Sequence, residues 1–175
     1  MQARCHAVNR DDDLCLEMLR RAGLALARQQ DESTSPWVSA FDEASLAVEA
    51  ARCLRELGQP VAARREAEQA VALRPRERTR SRAFAQLLLL SSLVEQGDPD
   101  EACRVAAEVL DATGGLGSYL VVQQLQRLTS LFKPYRRNRD VATFLERLTA
   151  ELGDRRWLTR WAQPDLNSAA SSGSR

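Results

Sequence analysis

The densest group of chemically active side chains is the arginine run "RPRERTRSR" at 74–82. Guanidinium groups bind phosphates and carboxylates through paired hydrogen bonds, so the run could be a nucleic-acid-binding arm. It could also be only the connection between two helices. Side chains two positions apart on a helix diverge by about 200°, so these arginines form no single stripe. We expect a connection in which some of the arginines pair with Asp42 and Glu43.

The charge balance of the whole chain also disfavours a nucleic-acid partner. Its 175 residues include 25 lysines and arginines against 24 aspartates and glutamates, which gives a formal net charge of +1. A dedicated nucleic-acid-binding domain usually carries a clear basic excess, because its affinity comes largely from neutralised phosphates. The sequence therefore predicts no direct nucleic-acid binding by this chain.

The other reactive side chains form no catalytic, cofactor-binding or metal-binding pattern. Asp42 and Glu43 are adjacent and diverge on a helix, and first-turn carboxylates more often stabilise a helix N-terminus. Cys5 and His6 diverge in the same way, and the chain has neither a C-x-x-C pair nor a second histidine. "TGGLGS" at 113–118 lacks the lysine and the preceding strand of a phosphate-binding loop. We predict no enzyme, no cofactor and no metal.

The apolar segments are short and indicate a protein outside the membrane. The start of the chain has no apolar stretch of a secretory signal. The longest apolar run, Leu87 to Leu90, is far too short to span a bilayer. We expect a soluble, cytoplasmic protein whose cysteines are reduced and buried as small apolar residues: Cys5, Cys15, Cys53 and Cys103.

Helices must position these groups, because the chain is rich in alanine, leucine, arginine and glutamate and poor in β-branched residues. Apolar residues also recur at three- and four-residue intervals within 102–110 and 141–152. The fold class is therefore all-α. The predicted helices cover about 3–9, 11–29, 37–57, 60–73, 78–96, 99–112, 118–132 and 139–152, with a short further helix at 157–161.

Two predicted elbows between helices share one pattern of residues, which recurs after 39 residues: Gly58, Pro60 and Ala63, then Gly97, Pro99 and Ala102. The glycine ends one helix in a left-handed conformation, the proline begins the next, and the small alanine lets the two backbones approach. This spacing resembles the tetratricopeptide repeat, a helical hairpin that stacks into a solenoid. The best repeats are 40–75 and 79–114.

The resemblance implies a right-handed, tetratricopeptide-like α-solenoid of antiparallel helical hairpins. We place a helical repeat domain at 1–162. The segment at 163–175 is small, polar and low in complexity, so we expect a disordered tail there.

Three further segments resemble a more specific family. "W-x-x-x-F-D-E-A" at 37–44, "L-G-Q-P-x-x-A" at 57–63 and "R-x-R-A-F" at 80–84 stand in this order. They look like the C-terminal region of bacterial transcriptional regulators that carry an N-terminal Cro/repressor-type helix-turn-helix, over roughly 12–152. The resemblance implies a ligand-sensing or dimerising half. Nothing long enough for the DNA-binding domain precedes Asp12, so we expect either a truncated array or a short relative that lost that domain.

Candidate binding residues follow from the analogy with tetratricopeptide arrays. Arg52, Arg55 and Glu56 fall on the helix face that would line the concave groove, where they could grip the carboxylates of a peptide or form a plain solvated face. The aromatic residues near the starts of inner helices could form a ligand pocket or fill the junctions between hairpins: Trp37, Phe41 and Phe84.

Trp157 and Trp161 stand four residues apart after the last long helix, where they could cap the open end of the array or pack in a homo-oligomer. The sequence thus favours a non-catalytic peptide- or protein-binding and dimerising module, the sensor half or a truncated relative of a bacterial transcriptional regulator. A general tetratricopeptide-like adaptor unrelated to transcription is the alternative.

Overall fold

The computed structural model describes residues 2–29 and 41–155, and every regular element within these two ranges is helical. The α-helices are α1 (Gln2–Val8), α2 (Asp12–Gln29), α3 (Glu43–Glu56), α4 (Pro60–Leu73), α5 (Thr79–Glu95), α6 (Pro99–Thr113), α7 (Tyr119–Phe132) and α8 (Arg139–Asp154). A short 3-10 helix, Lys133–Tyr135, connects α7 to α8. The all-α prediction is confirmed.

The helices pack mainly in chain order. Each of α1, α3, α5 and α7 contacts the helix that follows it, and α4 also packs on α5. Contacts between α1 and α3, α3 and α5, and α5 and α7 place the first helices of successive hairpins side by side. Four helical hairpins therefore follow one another in the described part of the chain.

The main core lies where α5 meets its neighbours. Leucines on nearly every side of α5 are buried, including the run Leu87 to Leu90 and Leu93. They pack with residues of α3, α4, α6, α7 and α8. By contrast, α4 buries only alanines: Ala63, Ala67 and Ala70, each fully inaccessible. On the α4 side, this apolar helix therefore packs against small residues, which lets the two helix axes come close.

The two predicted elbows have the same geometry. Gly58 and Gly97 have φ values of 75° and 78°, a left-handed conformation that side chains other than glycine rarely adopt. In the first elbow Gln59 N donates to Leu54 O at 2.9 Å, and in the second Asp98 N donates to Leu93 O at 3.0 Å. The second bond lies 39 positions after the first and joins the equivalent atoms, so the equivalence of the two elbows predicted from the sequence is confirmed at the backbone.

The turns within successive hairpins lie along one edge and are hydrogen-bonded to one another. We call the turns at 9–11, 57–60, 96–99 and 133–138 the elbow edge. The bonds that join neighbouring turns, directly or through the adjoining helix ends, are Gln59 Nε2 to Asp12 Oδ2 at 3.0 Å, Gln96 Nε2 to Pro60 O at 2.8 Å, Tyr135 Oη to Val94 O at 3.1 Å, and Asn138 Nδ2 to Asp100 Oδ1 at 2.7 Å. Neighbouring hairpins are therefore joined at their elbows by side chains.

Three local predictions need correction. The helix expected from 37 begins at Glu43, because the Asp42 carboxylate accepts a hydrogen bond from Ser45 N at 2.8 Å and caps the helix there; 37–40 lie outside the described residues. The last long helix continues past Gly153 to Asp154. Cys5 is exposed, since it lies on the outer side of the short helix α1, whereas the other three cysteines are buried.

The long helices that the structure describes are too polar to serve as membrane spans: among residues 2–29 and 41–155, no helix combines the necessary length and hydropathy. The short helix predicted at 157–161 lies outside these ranges.

Candidate functional site

The predicted groove residues lie at both ends of α3 and in α5, and they do not form one cluster. Phe41 precedes the first turn of α3, and Phe84 lies in the first half of α5. Arg52, Arg55 and Glu56 lie in the last turns of α3, so at 1.5 Å per residue they are roughly 16–22 Å from Phe41 along the axis. The structure therefore separates the charged candidates from the aromatic ones, and Trp37 lies outside the described residues.

The charged end of α3 is held by ion pairs to the neighbouring first helices. Arg55 Nε donates to Glu95 Oε2 of α5 at 3.1 Å, with a second bond from its Nη2 to the same carboxylate. Arg52 pairs with Glu49 at 3.0 Å, and Arg4 of α1 lies 4.0 Å from that carboxylate. Such half-exposed pairs contribute only about 0.2–1 kcal/mol each. These ion pairs therefore contribute little to the stability of the fold.

Two members of the arginine run have structural partners. Arg74 donates to Asp42 Oδ2 and to Ser45 Oγ, both at 2.8 Å. Burial opposes ionisation of Asp42, but the hydrogen bonds from Ser45 and the positive charge of Arg74 outweigh it and lower the pKa of this carboxyl. The expected pairing of the run with Asp42 is confirmed.

The second structural arginine is Arg82, which closes the end of α4. Its Nη1 donates to the backbone carbonyls of Val71 and Arg74, at 2.7 Å each. Carbonyl groups in the last turn of a helix have no partner within the helix and carry partial negative charge. Arg82 therefore ties the start of α5 to the end of α4.

Two other arginines of the run line an open cleft. Arg78 and Arg80 line it together with Phe84 and with Leu116 from the turn after α6, and its volume is about 500 Å³. The remaining lining residues are Glu77, Thr79 and Ser81. We call this depression the α5 cleft. Phe84 was a sequence candidate, but Leu116 was not, because no local pattern predicts that the turn after α6 lies beside the start of α5.

The described residues include few side chains suited to nucleophilic or metal-binding chemistry. No group of three or more histidine, cysteine, aspartate or glutamate side chains there is arranged to hold a metal ion. Burial raises the pKa of Cys53 to about 12 and that of Cys103 to about 11. Thiols with such pKa values are almost fully protonated at neutral pH, and the thiolate is the reactive form. These cysteines therefore act as small apolar core residues.

The two tryptophans proposed for self-association, Trp157 and Trp161, lie outside the described residues. Comparison with protein-family models, with curated proteins and with solved structures finds no match for this chain.

Proposed function

We propose that this chain is a non-catalytic peptide- or protein-binding and dimerising module built as a right-handed, tetratricopeptide-like solenoid. The observation that carries the proposal is the pair of equivalent elbows, Gly58/Pro60 and Gly97/Pro99, in hairpins that pack in chain order. Stacked hairpins of this kind present their first helices as an extended surface for a guest. Here those helices include α1, α3 and α5, which lie side by side.

The chemistry of that surface suits a polypeptide with carboxylates. Arg52 and Arg55 are partly exposed and hold glutamates whose own side chains are about one-third exposed, 33% for Glu49 and 38% for Glu95. An incoming carboxylate can exchange with these glutamates without leaving a buried charge unpaired. Phe41, 49% exposed at the other end of α3, offers an apolar contact. The surface therefore combines exchangeable ion pairs with an accessible aromatic ring.

The link to transcription rests on the resemblance of 37–44, 57–63 and 80–84 to bacterial regulators with a Cro/repressor-type helix-turn-helix. In that context the module acts as the sensor half or as a shortened relative. A guest would regulate by binding one curvature of the array more tightly than another, which shifts their populations. A reading frame that encodes a helix-turn-helix directly upstream would support this context over a general adaptor.

Changing Arg52 and Arg55 together to alanine should reduce capture of the partner from lysate by about tenfold, since two charge-assisted contacts are lost. Quantitative mass spectrometry of affinity-purified wild type and R52A/R55A measures the effect. R20A/R104A is the matched control, because it removes two exposed, ion-paired arginines from α2 and α6. Equal capture by wild type and R52A/R55A, with unchanged melting temperature, would reject α3 as the guest-binding surface.

The dimerising part of the proposal has a separate test. Light scattering across a wide concentration range should show a concentration-dependent rise in mass toward a dimer, and W157A/W161A should weaken it. A constant monomer mass at every concentration would contradict self-association.

A further inference from the structure

We propose that the α5 cleft binds an acidic peptide segment that carries an apolar side chain next to its carboxylates. This inference rests on the proposed function, because it names the chemistry of one guest segment and the place where that segment binds. The site is distinct from the Arg52/Arg55 end of α3, since it lies at the start of α5 and includes the turn after α6.

The shape of the cleft sets the first requirement. The cleft between the first turns of α5 and the turn that carries Leu116 has a volume of about 500 Å³. Pockets that hold small ligands or single side-chain anchors have volumes of about 300–1,000 Å³. Phe84 and Leu116 supply apolar walls, so the part of the guest that enters the cleft should be an aromatic or aliphatic side chain.

The charges of the run set the second requirement. Arg74 and Arg82 are bound to structural partners, but Arg76 and Arg80 form no ion pair with any described residue. Arg78 has only a long contact, 4.0 Å, to the Asp42 oxygen that Arg74 already occupies. Within 2–29 and 41–155, Glu77 is the single acidic residue that lines the cleft. The described lining therefore has two arginines against one glutamate, and this excess of positive charge complements carboxylates.

The position of Arg80 connects the two requirements. Its guanidinium carbon lies 6.0 Å from the centre of the Phe84 ring, at the outer limit of a cation–π contact. A carboxylate bound by Arg80 is therefore held directly beside the aromatic wall. Alternating acidic and apolar side chains in a guest would place a charge on the rim and an anchor in the cleft at the same time.

A nucleic acid fits these observations less well than a peptide. A phosphate backbone needs neutralising charge along its length, whereas the cleft is lined by two arginines and Glu77 in a chain with a net charge of +1. The apolar side chains of Phe84 and Leu116 in the lining also have no role in phosphate binding. Duplex DNA is therefore used as a competitor in the test.

The probe is a fluorescein-labelled synthetic peptide with one phenylalanine between paired glutamates. Two companion probes replace either the phenylalanine by serine or the glutamates by glutamines. Fluorescence anisotropy with the full chain should show saturable binding of the first probe and at least about tenfold weaker binding of each companion, because both contacts are required. R78A/R80A should weaken binding of the first probe at least about tenfold, and L116A should weaken it several-fold.

The matched control is R136A/R137A, which removes two exposed arginines from the elbow edge, on the other side of the array. This variant should bind the probe as wild type does. The proposal is overturned if the wild type shows no saturable binding up to about 1 mM, if R136A/R137A weakens binding as much as R78A/R80A, or if the serine companion binds equally well. Displacement by duplex DNA with a steep salt dependence, together with equal binding of the serine companion, would assign the cleft to nucleic acid.

The two proposals fail in different ways. Partner capture that depends on Arg52 and Arg55 but not on Arg78 and Arg80 keeps the proposed function and rejects the cleft. Probe binding that depends on Arg78 and Arg80, without loss of partner capture in R52A/R55A, keeps the cleft and rejects α3 as the guest-binding surface.

Discussion

Replacing Phe132 by alanine should lower the free energy of unfolding by about 3–5 kcal/mol, the usual cost of removing a large aromatic side chain from a core. Phe132 is fully buried at the end of α7 and is the largest such side chain among the described residues. Its ring lies 5.2 Å from that of Phe144 in α8, at an interplanar angle of 58°. Tilted aromatic pairs at this distance add about 0.5–1.5 kcal/mol to the effect of burial alone.

The measurement is urea unfolding followed by circular dichroism at 222 nm. A loss of this size is a large fraction of the total stability of an ordinary domain, about 5–15 kcal/mol. F41A is the matched control, since Phe41 is 49% exposed and its removal should change stability by less than about 0.5 kcal/mol. A loss below about 1 kcal/mol for F132A would show that α7 and α8 do not pack through this ring pair.

Leucine at position 63 or at position 102 should destabilise the chain by about 1–3 kcal/mol or more, because a larger side chain must force two closely packed helices apart. Ala63 and Ala102 are both fully buried, each one turn after the proline that begins its helix. They occupy equivalent positions of the two elbows, so A63L and A102L should lose similar amounts.

Thermal and urea unfolding of both variants measure this effect. A72L is the control, because Ala72 is on the exposed side of α4 and leucine there meets solvent. Its stability should stay within about 0.5 kcal/mol of wild type. If leucine is tolerated at one of the two buried positions and not at the other, the two hairpins are not packed in the same way, and the repeat on which the proposed function depends is lost.

The helices were predictable because their signals are local. Alanine-rich composition, apolar periodicity and the Gly-x-Pro elbows predicted the full extent of α4, Pro60–Leu73. They also predicted most other helix boundaries to within a residue or two of the observed ones. The start of α3 was wrong by several residues. Its N-terminal signal, the Asp42 side chain bound to Ser45 N, competes in the sequence with an apolar-periodic pattern that continues upstream.

The candidate site was less predictable, because its partners come from distant parts of the chain. Helical periodicity places Arg55 on a polar face, but only the packing of α3 on α5 brings it to Glu95, 40 residues later. Leu116 joins Phe84 for the same reason. Cys5 is exposed because of how the short helix α1 packs in the fold. The apolar residues beside Cys5 in the sequence do not determine that packing.

The side-chain hydrogen bonds along the elbow edge hold neighbouring hairpins together at that edge. Gln96 bonds its turn to Pro60 in the turn before it, and Tyr135 bonds to Val94 near the end of α5. At the far ends of the hairpins Arg82 also ties α4 to α5, so both edges resist separation of these neighbours. The α5 cleft lies at those far ends, between the turn before α5 and the turn after α6. A change in hairpin packing that moves the turn after α6 relative to α5 would alter the width of this cleft, and a guest bound there would favour the packing that fits it.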